Sequence, residues 1–161
     1  MSGGSGVTVP WSGRGLAYTD ADVAVVVEAM TTADPLTQGR HQDAFERRFA
    51  EYTDANHAFA VSSCTAALEL AALLCRIGPG DEVIVPAHTF AATAIPFART
   101  GATLVWADID PDTRVVTADT IAPLVTGATK AVIVVHLYGL VCDMDPIVTL
   151  ARDHGLLVVE D

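Results

Sequence analysis

Basic residues are scarce in this 161-residue sequence: nine lysines and arginines stand against 20 acidic residues, which gives a formal net charge of −11. Lys130 is the only lysine. Nucleic acids and anionic membranes are bound through clusters of basic residues, so neither is an expected partner. The sequence also has no run of the roughly 20 apolar residues that a membrane-spanning helix needs. We therefore expect a protein with neither a nucleic-acid partner nor a membrane partner.

Cysteines are few and far apart, and the opening segment has no targeting pattern. Cys64, Cys75 and Cys142 form no CxxC pair and no zinc-ligand spacing with histidine, which argues against a disulfide framework and a zinc site. Residues 1–6 are small and flexible, without the basic start and apolar core of a signal peptide. The expected compartment is a reducing cytoplasm.

The composition is rich in apolar residues, with 51% hydrophobic and only 18% charged. Such a composition suits strands that are buried on both faces. From residue 58 onward, short apolar runs alternate with helical stretches, which is typical of right-handed strand–helix–strand units. The sequence therefore predicts an α/β fold, a mainly parallel sheet with flanking helices. The predicted strands are 58–62, 82–86, 103–107, 131–136 and 156–160, and the helices between them are 65–76, 90–99, 118–125 and 144–154.

Two further helices are predicted before this alternation begins. Residues 20–30 carry apolar side chains at helical spacing, and Thr19 with Asp22 has the pattern of a capping box. Residues 41–52 place aromatic side chains on one helical face. The predicted domains are a flexible N-terminal segment (1–18), N-terminal helices (19–57) and an α/β domain (58–161).

A turn of small residues leads from the first predicted strand into a helix. Its residues are Ser63, Cys64, Thr65 and Ala66. Free N–H groups and the positive end of a helix dipole meet there, which favours a bound phosphate, and the Thr65 hydroxyl could add a hydrogen bond. The alternative is that the serine and threonine hydroxyls only cap the helix. Neither GxGxxG nor a Walker sequence is present, so a dinucleotide or ATP site lacks its usual pattern.

Aromatic and acidic residues follow later strands at the same edge of the predicted sheet. Phe90 could stack on a flat cofactor, the alternative being a core phenylalanine under the next helix. Asp161 follows Glu160 after the last strand and could hold a protonated ring nitrogen, a bond worth about 1.5–3 kcal/mol. The alternative for Asp161 is a helix N-cap. Asp108 is expected in an acidic turn rather than a metal site, and His88 at the solvent edge rather than as a catalytic base.

A series of short motifs follows in a definite order between about residues 36 and 161. Taken together they resemble the DegT/DnrJ/EryC1/StrS family of pyridoxal-phosphate aminotransferases, which usually aminate keto sugar nucleotides or related cyclitol intermediates. Each segment is weak alone, whereas the ordered series is specific. The segments are LTQG (36–39), FE (45–46), FAEY (49–52), SCTAAL (63–68), GPGDEVIVP (78–86), TF (89–90), DID (108–110), HLYG (136–139) and ED (160–161).

The resemblance implies the large domain of a fold type I aminotransferase and pyridoxal 5'-phosphate as cofactor. By this similarity the turn before the helix would bind the cofactor phosphate, the aromatic ring would stack on the pyridine, and the last aspartate would hold the pyridine nitrogen. The family usually has glycine where this sequence has cysteine, and a Cβ there is expected to crowd the phosphate or to demand other dihedral angles. The implied cofactor-binding residues are Ser63, Cys64, Thr65, Ala66, Phe90 and Asp161.

The resemblance also implies residues beyond these 161. Relatives continue past the acidic pair to the lysine that forms the Schiff base, and late strands of their sheet lie between the first strand and the others. Lys130 precedes the fourth predicted strand, and six residues at about 3.3 Å each place it roughly 20 Å from the carboxyl edge. We therefore expect no catalytic residue in this chain, a truncated α/β domain, and no activity without a C-terminal half.

The implied partners are a keto sugar nucleotide or cyclitol substrate and an amino-acid amine donor, in polysaccharide or antibiotic biosynthesis. The implied assembly is a homodimer of the full-length form, or a complex with a complementing C-terminal chain. The alternatives are a noncatalytic remnant that binds a phosphorylated ligand or a full-length relative, a pyridoxal-phosphate-dependent sugar dehydratase, and an unrelated doubly wound binding domain.

Overall fold

The computed structural model describes residues 18–35 and 37–161. The chain divides into two compact units, and the division falls between Ala60 and Val61. The predicted flexible segment lies outside the described residues, except for Tyr18. Within the described part of the chain, no helix has both the length and the apolar character needed to cross a membrane.

The first unit contains two helices, α1 (Asp20–Thr32) and α2 (Arg40–Thr53). The predicted capping box at the start of α1 is confirmed: Thr19 N donates to Asp22 Oδ2 at 2.8 Å, and Asp22 N donates to Thr19 Oγ1 at 3.3 Å. These bonds satisfy two backbone donors, one at the cap itself and one in the first helical turn. After α2, Asp54 adopts a left-handed conformation and ends the helix.

The apolar faces predicted for α1 and α2 are exposed in the structure. No residue of either helix is buried. On α2 the rings of Phe45 and Phe49 lie 5.8 Å apart, so they contact each other while remaining open to solvent. The exposed large apolar side chains of the two helices are Val23, Val25, Val26, Val27, Met30, Phe45, Phe49 and Tyr52.

The predicted strand 58–62 is wrong. These residues have irregular backbone, and Phe59 and Val61 are exposed. Ala60 N donates to the side chain of Glu46 at 2.8 Å instead of to a neighbouring strand. The apolar composition of the segment predicted a strand, but a strand also requires a partner for its ladder, and the described residues offer none here.

The second unit is built on a sheet of four parallel strands. They are β1 (Glu82–Pro86), β2 (Thr103–Ala107), β3 (Thr129–Val134) and β4 (Leu157–Glu160), in the order β2-β1-β3-β4. The prediction of a mainly parallel sheet is therefore confirmed. The bounds of β3 differ from the predicted 131–136, because polar residues at its start pair with β1, as in the pair Glu82 and Thr129.

Helices cover both faces of this sheet. They are α3 (Cys64–Leu74), α4 (Ala91–Arg99), α5 (Ala118–Ile121) and α6 (Met144–His154). The helix predicted over 118–125 is shorter than expected, since α5 continues only as a 3₁₀ turn, Ala122–Leu124. Pro123 lies in that turn, where its ring and missing N–H prevent a regular α-helix from continuing.

Alternate residues of each central strand enter two separate cores. Val83, Val85 and Ile133 pack with residues of α3 and α4, including Leu68 and Phe97. On the other face, Ile84, Val132 and Val134 pack with residues that include Ile121 of α5 and Ile147 of α6. This double burial explains the continuous apolar runs in the sequence.

The strand order places a topological switch point at the carboxyl edge of the sheet, between β1 and β3. From β1 the chain crosses to β2 on one side, whereas β3 and β4 lie on the other side of β1. The connections that leave β1 and β3 therefore diverge, and ligands of open α/β sheets bind at such a switch point.

Candidate functional site

The carboxylate of Asp161 lies at the carboxyl edge of the sheet and is held by two side chains. Thr93 Oγ1 donates to Asp161 Oδ2 at 2.5 Å, and Cys64 Sγ donates to Asp161 Oδ1 at 3.2 Å. The backbone of Asp161 continues the pairing of β4, since its N–H donates to Val134 O at 2.8 Å. The carboxylate is therefore fixed at the end of a strand and beside the first turns of α3 and α4.

The N-terminus of α3 combines a capped helix with outward-facing backbone donors. Ser63 is the N-cap, and its Oγ accepts from Ala66 N at 3.1 Å. The first intrahelical bond runs from Ala67 N to Ser63 O. The N–H groups of Cys64 and Thr65 therefore precede the hydrogen-bond ladder and add to the positive end of the helix dipole. Ser63 thus acts as the cap, and the N–H groups of the next two residues have no partner within the helix.

The thiol of Cys64 is a hydrogen-bond donor in this site rather than a nucleophile. Its hydrogen bond to Asp161, together with slight desolvation and the nearby carboxylate charge, raises the pKa of the Cys64 thiol above its usual value. A raised pKa keeps the sulfur protonated near neutral pH, and only the thiolate is strongly nucleophilic.

Phe90 is not a core residue: 77% of its surface is exposed, and it forms the N-cap position of α4. The core position of that helix is taken by Phe97, which is fully buried. The alternative of a core phenylalanine at position 90 is therefore wrong, and its ring is open at the carboxyl edge. Two other rings lie at this edge, His88 and Tyr138, with their centroids 6.2 Å apart in an edge-on arrangement.

His136 and Glu160 form a second polar contact at the ends of β3 and β4. His136 Nδ1 accepts from Cys142 N at 3.2 Å, and His136 Nε2 lies 3.0 Å from Glu160 Oε2. Because Nδ1 accepts, we assign the proton of the neutral ring to Nε2, which donates to Glu160. Both ring nitrogens are thus used to hold the loop after β3, which contains Tyr138 in a left-handed conformation.

Lys130 lies at the opposite, amino edge of the sheet. It is the second residue of β3 rather than a residue before the strand, and its Nζ donates to Arg76 O at 2.5 Å and to Asp81 Oδ2 at 3.2 Å. Hydrogen bonds from Gly78 N and from Lys130 lower the pKa of the Asp81 carboxyl group. The lysine therefore joins the end of α3 to the start of β1 and takes no part in the carboxyl-edge site.

The acidic residues after β2 form a turn. Asp110 Oδ1 accepts from Asp112 N at 3.0 Å and from Thr113 N at 2.8 Å, and Asp108 Oδ1 accepts from the N–H of Ile109. These bonds use the carboxylates to satisfy local backbone donors. Across the described residues there is no group of three or more potential ligands placed to hold a metal ion.

Of the predicted site residues, the structure brings Cys64 and Asp161 into direct contact and places Ser63, Thr65 and Ala66 in the same helix end. Thr93 is not among the residues that the sequence predicts for the site. The sequence signal for it is its place three residues after Phe90, in the first turn of the helix predicted over 90–99.

The family model of the DegT/DnrJ/EryC1/StrS aminotransferase family matches residues 18–161 of this chain. Among curated proteins, the GDP-perosamine synthase of Caulobacter vibrioides is 48% identical over 136 residues, which are 84% of this chain and 37% of that protein. The chain thus spans well under half the length of this relative.

Solved structures agree with this match. An aminotransferase from Psychrobacter cryohalolentis superposes with a TM-score of 0.85 at 38% identity, over 90% of this chain and 37% of that one. NtdA from Bacillus subtilis, solved with the bound cofactor pyridoxamine phosphate, superposes with a TM-score of 0.79 at 33% identity, over 88% of this chain and 33% of that one.

Proposed function

Because the chain belongs to the DegT/DnrJ/EryC1/StrS aminotransferase family, we propose that it forms the pyridoxal-phosphate-binding part of an aminotransferase. The observation that carries this proposal is the Asp161 carboxylate, held by Thr93 and Cys64 next to the N-terminus of α3. A fixed carboxylate and a helix N-terminus suit the two charged ends of this cofactor, the protonated ring nitrogen and the phosphate.

Each predicted site residue has a role in this proposal. The N–H groups at the start of α3 and the Thr65 hydroxyl bind the phosphate, and Ser63 keeps the turn in shape through its bond to Ala66. The exposed ring of Phe90 covers one face of the pyridine. The chemistry that the cofactor would supply when bound is an electron sink for the reacting carbon of the substrate. Asp161 holds the proton on the ring nitrogen, which strengthens that electron sink.

Cys64 is the predicted site residue that fits the cofactor least directly. Its sulfur lies 3.2 Å from Asp161 Oδ1, so the thiol uses an oxygen that the ring nitrogen would need. The side chain is exposed, and rotation about χ1 to another staggered position moves the sulfur away without a change in the backbone. The residues therefore accommodate the cofactor once the thiol has turned away from Asp161.

We propose that the lysine that carries the cofactor in this family is not one of these 161 residues. Lys130 is the only lysine, and it is bonded to Arg76 O and Asp81 at the amino edge. We propose that the chain is inactive by itself and acts with a C-terminal part, within the same polypeptide or in a complementing chain.

The proposed substrates are a keto sugar nucleotide or a cyclitol, with an amino acid as amine donor. The relative named as a GDP-perosamine synthase supports the sugar-nucleotide assignment by its sequence identity to this chain. A homodimer of the full-length form and a cytoplasmic location are further parts of this proposal.

Binding of pyridoxamine 5'-phosphate tests the proposal, because this form lacks the aldehyde that could react with Lys130. Titration followed by the fluorescence of the ligand should show saturable binding, weakened about tenfold or more by Asp161→Asn, which removes a charge-assisted hydrogen bond. Asp108→Asn is the matched control, since Asp108 is an exposed acid that follows β2 at the same edge. Failure to bind, both alone and with the C-terminal part of a relative, would refute the proposal.

A further inference from the structure

Thr93 is a buried polar residue whose hydroxyl contacts the candidate site. Only 2% of its surface is exposed. It lies in the first turn of α4, and its backbone N–H donates to the carbonyl oxygen of Phe90 at 3.0 Å. The turn that presents the exposed ring of Phe90 therefore also places a buried hydroxyl against Asp161.

The hydrogen bonds around Thr93 have a fixed direction. A hydroxyl carries one proton, and that of Thr93 is donated to Asp161 Oδ2 at 2.5 Å, because an ionised carboxylate can only accept. Thr89 Oγ1 lies 2.9 Å from Thr93 Oγ1, so the proton in that contact comes from Thr89. The two hydroxyls form a chain that ends on the carboxylate, and successive bonds in such a chain strengthen one another.

The two oxygens of Asp161 are held unequally. Oδ2 accepts a short hydrogen bond from a buried hydroxyl. Oδ1 accepts a hydrogen bond from the thiol of the exposed Cys64, and a thiol is a weak donor. A charged N–H donor forms a stronger bond than a thiol does. Oδ1 is therefore the oxygen at which an incoming N–H can replace the existing partner, while Oδ2 keeps the carboxylate in place.

We propose that Thr93 is a positioning residue that fixes Asp161 through Oδ2 and leaves Oδ1 for the ring N–H of the cofactor, with the Cys64 thiol occupying Oδ1 in its absence. This inference rests on the proposed function, because it assigns Asp161 to the ring nitrogen. Thr93 acts through Asp161 and is not a catalytic residue.

Three variants test the role of the Thr93 hydroxyl. Thr93→Val keeps the shape and removes the hydroxyl, Thr93→Ser restores it, and Thr93→Ala replaces Val if that variant does not fold. Thr100→Val is the matched control, because the Thr100 hydroxyl donates to Phe97 O at 2.6 Å after the last turn of the same helix.

The first measurement needs no cofactor. The rate of Cys64 alkylation by iodoacetamide is followed against pH by mass spectrometry of the peptide that contains it, which separates it from Cys75 and Cys142. Removing the Thr93 hydroxyl frees the carboxylate to rotate, so the alkylation midpoint of Thr93→Val should fall towards that of an ordinary thiol. Thr93→Ser and Thr100→Val should keep the wild-type midpoint. An unchanged or higher midpoint in Thr93→Val overturns the positioning role.

The second measurement is the affinity for pyridoxamine 5'-phosphate. Thr93→Val should bind about tenfold more weakly, the factor expected for a misaligned charge-assisted bond, while Thr93→Ser and Thr100→Val should stay within about twofold. If wild type binds and Thr93→Val binds equally well, the positioning role is wrong and the proposed function stands. If wild type binds neither alone nor with the C-terminal part of a relative, the proposed function fails and this inference fails with it.

Discussion

The two phenylalanines of the α4 segment should respond to alanine substitution in opposite ways. Phe97 is fully buried against the sheet and α3, whereas 77% of the Phe90 surface is exposed. Truncating a buried phenylalanine typically costs about 3–5 kcal/mol, because apolar surface and packing are lost and a cavity remains. Phe97→Ala should therefore lower the free energy of unfolding by an amount in this range.

Phe90→Ala should have little effect on stability. Less than a quarter of its surface is buried, so of a phenylalanine burial of roughly 200 Å² only about 45 Å² is at stake. At about 25 cal/mol per Å² this is at most about 1 kcal/mol. If Phe90 stacks on the cofactor, the variant should lose about 0.5–1.5 kcal/mol of binding energy, or about two- to tenfold in affinity for pyridoxamine 5'-phosphate.

Urea unfolding followed by circular dichroism, together with ligand titration, separates the two effects. Phe97→Ala should unfold at a clearly lower urea concentration. Phe90→Ala should unfold close to wild type and bind the ligand more weakly. Equal loss of stability in both variants would contradict the burial difference, and unchanged ligand affinity in Phe90→Ala would contradict the stacking role.

Three further predictions concern the helix end, the single lysine and pH. Ser63→Ala should lower the free energy of unfolding by about 1 kcal/mol through loss of the helix cap. Thr65→Val should leave that free energy unchanged and weaken the binding of pyridoxamine 5'-phosphate. Urea unfolding and ligand titration test both variants, and equal unfolding curves for Ser63→Ala and wild type would refute the cap. Lys130→Met should destabilise the protein slightly and leave ligand affinity unchanged, and weaker binding in the same titration would contradict its placement at the amino edge. The folded-state pKa of Asp81 lies below its unfolded value of about 3.9, so its stabilising contribution is present above that pH and is lost as the pH falls through the folded pKa. Asp81→Asn should therefore lose less stability than wild type over that acidic range, as measured by thermal unfolding, and identical pH profiles would count against the bonds from Gly78 and Lys130.

Local patterns predicted most elements of the second unit because their causes are local. The apolar runs at 82–86 and 103–107 and the helix at 144–154 have the predicted bounds. The alternation of these elements also predicted the parallel sheet, since strands that alternate with helical crossovers are typical of parallel sheets. The strand predicted at 58–62 failed because strand formation depends on a partner, which the composition of a segment does not reveal.

The candidate site also combines features that the sequence predicts with features that it does not. The turn at Ser63 and the acid after β4 could be recognised from the sequence, because helix caps and strand ends have characteristic residues. The sequence could not show that Cys64 and Thr93 contact the same carboxylate, since Asp161 lies 97 and 68 residues away from them along the chain. Nor could it show that Phe90 is exposed while Phe97 is buried, because both phenylalanines lie in the same apolar segment of the sequence.

The α/β class, the positions of most helices and strands, and the order of segments that marks the family can all be predicted from the sequence, because they follow from local periodicity and short motifs. The strand order β2-β1-β3-β4 and the hydrogen bonds from Thr93 and Cys64 to Asp161 are visible only in the folded chain. Those contacts join residues distant in the chain, and only the packing of α3 and α4 on one face of the sheet brings them within bonding distance.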